Sequence, residues 1–289
     1  MFPISAQDVT AARGRIAPFV PVSPVRSYPL LDAWIGHGIR VSVKHENFNP
    51  TGSFKVRNGL SFMTALPTEE RARGVVAATR GNHGLGIAFA ARALGVAATI
   101  CVPHGNNPDK NAGVRALGAT LIEEGEDYDA SIHAAERVRR ETGAAMAHST
   151  NDPQVLAGAA TVSFELLEAV PDLDAMVVSI GGGSQAVGAL LAAHTFRPTM
   201  AVYGVQAASG APGEKDVVAA IVPAPGAALD PGEIFAACRR GLEPNFVPSH
   251  LQVVDEIPKT ASEKPQERFL QERFAPGAPG VFSEAPGRI

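Results

Sequence analysis

The sequence predicts an α/β fold with a mostly parallel sheet and helices on both faces, and three observations predict it. Short apolar runs alternate with amphipathic stretches from about residue 39 to residue 206. Most of those runs are continuously apolar, as strands buried on both faces are. Gly, Pro or Asn marks each break between them.

Taken in order, IRVSVK (39–44) alternates like a strand, while GVVAAT (74–79) and AATICVP (97–103) read as buried strands. ATLIEE (119–124), AAMAHS (144–149), DAMVVSI (174–180) and TMAVYGVQ (199–206) continue the series. Helical periodicity falls between them, at roughly 57–65, 83–94, 109–117, 127–142, 153–170 and 185–195. Ligands of such sheets bind beyond the carboxyl ends of the strands, which points to the loops at 79–83, 103–108 and 180–185.

Composition narrows the function. A chain of 289 residues that is 45% hydrophobic has ample length for a core in one large domain or two ordinary ones. A net charge of −4 without a dense basic run argues against nucleic acid or an anionic membrane as partner. Cys101 reads as a buried strand residue and Cys238 as a helix residue, too far apart and too few for a disulfide framework. The start, MFPISAQDV, has neither a basic nor an apolar leader region, and no apolar run is long enough to span a bilayer, so a cytoplasmic location is expected.

Four pieces could carry chemistry. In NPTGSFKVRNG (49–59), Lys55 follows a turn signal and stands between Phe54 and Val56. Burial there would lower its pKa and make it a nucleophile toward an aldehyde, whereas the alternative is a solvated helix-start lysine. SIGGGSQAVG (179–188) follows an apolar strand and opens a helix, so its amides and Ser184 suit a phosphate. It lacks the Walker A lysine and the GxGxxG spacing, and a tight strand-helix turn is the alternative. In ATRGNHGLG (78–86), Asn82 could cap the helix or meet a ligand hydroxyl, and His83 reads as a structural hydrogen-bonding histidine. PHGNNPDKNAGVRALGA (103–119) reads as a turn and a surface helix start. An amine and a phosphate cradle together suggest one phosphorylated, aldehyde-bearing cofactor.

SFK (53–55), TRGNH (79–83) and GGGS (181–184), in that order and strand-helix context, resemble the pyridoxal-phosphate enzymes of fold type II, the tryptophan-synthase-β fold. The threonine/serine dehydratase branch is the nearest in pattern, and AARGRIAPFVPVSPVRSYPLLD (11–32) is similar to its N-terminal helix and loop. The resemblance implies a dehydratase-like region at 1–211, with a small subdomain at about 46–149 inserted in the larger one. It implies pyridoxal 5′-phosphate as cofactor, held by Lys55, with Lys55 also serving as the base for the substrate α-proton. Gly181, Gly182, Gly183 and Ser184 would hold the phosphate and Asn82 the ring hydroxyl. Thr79 and the amides of Arg80, Gly81, Asn82 and His83 would receive the carboxylate of a small amino-acid substrate. A β-hydroxy amino acid would become a 2-oxo acid and ammonia, and family habit implies a homodimer. Arg80 replaces the serine that serves racemases on the opposite face, which disfavours racemisation. Gln206 replaces an acidic cation ligand of some relatives, so no metal is expected.

Residues 213–270, with LDPGEI and IPKTASEK, instead resemble the C-terminal end of acyl-CoA synthetases, the adenylate-forming ligases. Lys264 would be the counterpart of the lysine that reaches the adenylate, and Glu263 stands where many members have glycine. The sequence therefore reads as a fusion with a seam near SGAPGEKD (209–216), leaving a truncated fold-type-II region and a small α+β fragment at 212–289 with a frayed Pro/Gly-rich end. That fragment is expected to dock beside the sheet rather than complete it. An impaired lyase leads; a catalytically inactive chimera and a partner fragment of an acyl-CoA ligase are the rivals.

Overall fold

The computed structural model describes residues 2–209, 217–222, 229–241, 247–255, 270, 274–275 and 277–283. They belong to two compact units, the first of Met1–Arg26, Val43–Met176 and Gly183–Val202, the second of Ser27–Ser42, Val177–Gly182 and Tyr203–Ile289.

The chain opens on helix α1 (Ala6–Ile16), started by a reciprocal capping box between Ser5 and Asp8. Strands β1 (Val25–Ser27) and β2 (Ser42–Lys44) pair as a small sheet around helix α2 (Pro29–Ile35) in sequence. A 3₁₀ turn (Glu46–Phe48) leads to helix α3 (Lys55–Ala65) and the short α4 (Thr68–Ala72). Then β3 (Val75–Ala78), α5 (Asn82–Leu94), β4 (Ala98–Val102), α6 (Pro108–Ala116), β5 (Thr120–Glu123), α7 (Tyr128–Thr142) and β6 (Ala145–Met146) alternate. Side-chain caps from Asn107 and Asp127 start α6 and α7, and left-handed Gly95 and Gly143 end α5 and α7.

These strands form an all-parallel sheet in the order β5-β4-β3-β6. The chain steps outward from β3 to β5 and then returns to the far side of β3. Right-handed crossovers therefore put α5 and α6 on one face and α7 on the other. Burial agrees: Val76, Ala78 and Cys101 pack with Ala134 and Ala135 of α7, while Ile100 faces Gly84 of α5. The reversal between β3 and β6 is a topological switch point, the crevice such sheets use for ligands.

A helical layer completes the first unit: α1, α3, α5, α8 (Pro153–Ala169, capped by Asp152) and α9 (Ser184–Phe196). Helices α3 and α5 touch backbone to backbone, since a Cβ on Gly59 would lie 2.3 Å from the Gly86 carbonyl oxygen. Only glycine allows that approach.

In the second large sheet, β7 (Ala175–Ser179) and β8 (Ala201–Ser209) are joined by β9 (Val217–Ile221), β10 (His250–Val253) and β11 (Val281–Ser283) in the order β11-β10-β9-β8-β7. Helix α10 (Pro231–Gly241) lies between β9 and β10 in sequence and carries Cys238. The expectation that the tail docks beside the sheet is overturned: β9 pairs antiparallel with β8, Gln206 opposite Ala220, and β10 pairs parallel with β9. The reason is that β8 offers an open edge and VVAAI (217–221) is an apolar run able to fill it. The chain thus keeps a parallel first sheet and gains a mixed second one.

Two element extents also differ from the sequence reading. The strand expected over 144–149 pairs only through Ala145–Met146, with the Ala147 amide still donating to the Val76 carbonyl, and the carbonyls of Ala147 and Ser149 then meet side chains of the site described next. The helix expected at 57–65 starts two residues earlier, at Lys55 itself.

Candidate active site

Lys55 is the first residue of α3, and its side chain sinks toward the switch point instead of pointing into water. Its Nζ donates to the Ser149 carbonyl at 3.4 Å and to Ser184 Oγ at 3.3 Å. It also lies 5.0 Å from the centre of the Phe54 ring, and Val56 beside it is fully buried. Burial pushes the Lys55 pKa down to about 8. The solvated-lysine alternative is therefore set aside.

Ser184 starts α9 and is buried, and Gly183 before it has φ +92°, a conformation that favours glycine. The amides at that helix start present a positive end suited to an anion. A Cβ at Gly183 would meet no atom within 4 Å, so the space beside this backbone is open. Gly181 and Gly182 fall in the second unit, where a Cβ on Gly181 would likewise meet nothing within 4 Å.

The segment after β3 forms the other wall in the first unit. Thr79 is buried, its amide donates to the Cys101 carbonyl, and its Oγ1 accepts from the Gly81 amide at 3.0 Å. Arg80 is exposed. Gly81, in extended backbone, caps α5, so Asn82 is the first helical residue and not the cap. Asn82 is exposed and its Oδ1 accepts from Lys110 Nζ at 2.6 Å. His83 is buried, with Nε2 3.0 Å from the Ala147 carbonyl oxygen, which ties α5 to the chain leaving β6.

The structure thus brings Lys55, Ser149 and Ser184 into contact, and sets Thr79–His83 directly after β3, the strand that pairs with β6. Sequence reasoning missed Ser149, which contributes a backbone oxygen and so leaves no residue-type signal. It also missed Lys110 as the partner of Asn82 and Tyr128 at the start of α7. The Tyr128 hydroxyl is 3.5 Å from the Ala78 carbonyl, and burial raises its pKa. Among the described residues no group of three His, Cys, Asp or Glu could hold a metal, and no helix is long and apolar enough to cross a membrane. The side chain of Gln206, together with Glu263 and Lys264, lies outside the described residues.

A switch-point lysine with a lowered pKa, facing a hydroxyl at a glycine-preceded helix start, defines a site for an aldehyde-bearing, phosphorylated cofactor. The chain belongs to the pyridoxal-phosphate dependent enzymes: the family model of that description matches residues 16–243. Pyridoxal 5′-phosphate is the cofactor that defines the family, and the chain has its fold-type-II architecture. The L-threonine ammonia-lyase of Thermotoga maritima is 42% identical over 169 residues, which cover 58% of this chain and 42% of that protein. The structure of maize serine racemase is 33% identical with a TM-score of 0.68, covering 71% of this chain and 61% of that one. The threonine deaminase of T.th. is 36% identical with a TM-score of 0.65, covering 70% and 65%. The chain therefore spans less than two thirds of the length of these relatives.

Proposed function

We propose that the chain is a pyridoxal-phosphate dependent ammonia-lyase converting a β-hydroxy amino acid of the threonine or serine type to a 2-oxo acid and ammonia. The observation that carries this reading is the Lys55 amine, held against Ser149 and Ser184 with its pKa lowered to about 8. When bound, the cofactor supplies an electron sink that acidifies the substrate α-carbon. Near neutral pH part of the Lys55 population is unprotonated, so its amine can take the α-proton and later return one. The Ser149 carbonyl and the Ser184 hydroxyl aim that amine. The start of α9, with Gly181–Ser184, would hold the phosphate, and Thr79, Arg80, Gly81 and His83, at the positive end of α5, would hold the substrate carboxylate. Lys110 on Asn82 Oδ1 leaves the Asn82 amide hydrogens to donate to the ring oxygen.

Serine racemases are also similar to this chain, and Arg80 in place of a serine favours lyase over racemase chemistry. The test is borohydride reduction of the loaded protein followed by peptide mapping. The adduct is expected on Lys55, and Lys55→Ala should abolish turnover. An adduct on Lys44 or Lys110 would overturn the assignment.

We also propose that the chain fuses this region to the acyl-CoA-synthetase-like segment, with loss of some activity. The wording of 229–264 supports this, whereas the family model runs on to residue 243, past the stretch 209–216. Sequencing the native gene across codons 205–220 decides it. A cytoplasmic homodimer acting on a free amino acid completes the proposal, and sedimentation of the purified chain tests the dimer.

A further inference from the structure

Helix α3 carries Lys55 on its first turn, yet that turn has no side-chain cap and no acidic residue. A helix start of this kind frays unless tertiary contacts hold it. The strongest contact is two residues further on. Arg57 is 1% exposed, and its guanidinium is bonded on every side. Nε donates to Glu46 at 2.8 Å; Nη1 donates to Thr161 at 3.1 Å and to Glu165 at 2.7 Å. Nη2 reaches Glu165 at 2.9 Å, Glu46 at 3.1 Å and Ser23 Oγ at 3.4 Å. Lys44 Nζ adds bonds to Glu165 at 2.6 Å and to the Ser23 carbonyl at 2.7 Å. Two cations and two anions thus balance in the interior, tying α3 to α8, to β2 and to the 3₁₀ turn. Burial disfavours the Glu165 carboxylate, but Arg57 and then Lys44 more than offset it and hold its pKa below the ordinary range. Ion pairs in water are weaker; Arg139 with Glu136, for example, lies exposed within α7.

We infer that Arg57 is a positioning residue for Lys55: its forked, charge-balanced clamp fixes the first turn of α3 and thereby the place of the lysine amine. Lysine could replace the charge of Arg57 but not its fork, since one ammonium cannot bond two carboxylates bidentately. The inference rests on the reading of Lys55 as the reactive amine, so its test uses the full-length chain freed of cofactor. That separates the clamp from any failure of the lyase assignment.

The experiment is reductive methylation across pH, with the reactivity of Lys55 read by peptide mass spectrometry and Lys110 as internal reference. In Arg57→Lys the first turn loosens and the amine hydrates, so the Lys55 midpoint should rise by about one pH unit or more, a roughly ten-fold smaller neutral fraction at pH 7. The extent of Lys110 methylation should be the same in the two proteins. A folded Arg57→Lys protein with an unmoved Lys55 midpoint would overturn the inference, whatever its loss of stability. If circular dichroism shows that variant unfolded, Thr161→Val removes a single acceptor of the guanidinium and is read in the same way. A smaller rise supports the clamp, and no rise overturns it.

Discussion

Lys55 gains a reactive amine by being buried, and that burial has a measurable consequence for stability. In the unfolded chain the amine titrates near its ordinary value of 10.5, and in the folded chain near 8. Between those values the unfolded state binds more protons, so stability rises with pH across this window. Below pH 8 the buried ammonium weakens the fold by about 3 kcal/mol at most, less to the degree that water still reaches it. Lys55→Met without cofactor should therefore be more stable than the parent at pH 7, with the gain gone by about pH 10.5. Urea unfolding at several pH values measures this; a gain independent of pH would mean that the amine is not desolvated. At Gly183 the φ of +92° makes any side chain strained, so Gly183→Val should weaken cofactor binding more than it weakens the fold. Cofactor titration beside circular dichroism tests it. Equal affinity would reduce the glycine segment to a plain turn.

At the scale of elements, the site depends on how closely α3 lies on α5. A Cβ on Gly86 would stand 2.2 Å from the carbonyl oxygen of Lys55, and one on Gly59 would stand 2.3 Å from that of Gly86. Gly59→Ala must push the helices apart, which should cost roughly 1–3 kcal/mol and displace the lysine. Gly14, on α1, has nothing within 4 Å of an added Cβ. Gly14→Ala should instead stabilise by about 0.5–1 kcal/mol through helix propensity. Denaturation midpoints of the two variants should move in opposite directions. Like signs would show that propensity, not the crossing, dominates at Gly59.

For the whole molecule, the second unit raises a question of partners. Strand β7 ends the strand order, and Val177 on it is 67% exposed between buried Met176 and Val178. Tyr203 and Val205 on β8 are 55% and 56% exposed. An apolar sheet surface of this kind, beside an open edge, favours association. Sedimentation should show concentration-dependent self-association that Val177→Lys weakens. Replacing residues 212–289 by a complete dehydratase C-terminal segment should raise serine or threonine deamination, and comparable turnover of the two chains would refute an impairing fusion.

Much of the first unit was legible because its signals are local. A buried strand, a turn residue and a helix start recur in sequence at each βα unit, so the switch-point loops could be located from residue types, while it took the resemblance to the fold-type-II enzymes to single out Lys55, Thr79–His83 and Ser184. The chain's own periodicity determined its α/β class, the order of its strands along the sequence and the segments that face the site. Tertiary structure alone decided the rest. The Ser149 carbonyl carries no residue signature. The Arg57 clamp joins positions 108 residues apart through Glu165, and the same Glu165 reaches Lys44 across 121. The tail's apolar runs could equally have formed a separate core, and they joined the sheet because the edge of β8 supplied unpaired hydrogen-bonding groups. Periodicity records which face of an element is buried; which partner buries it is settled only when distant segments compete for the same surface.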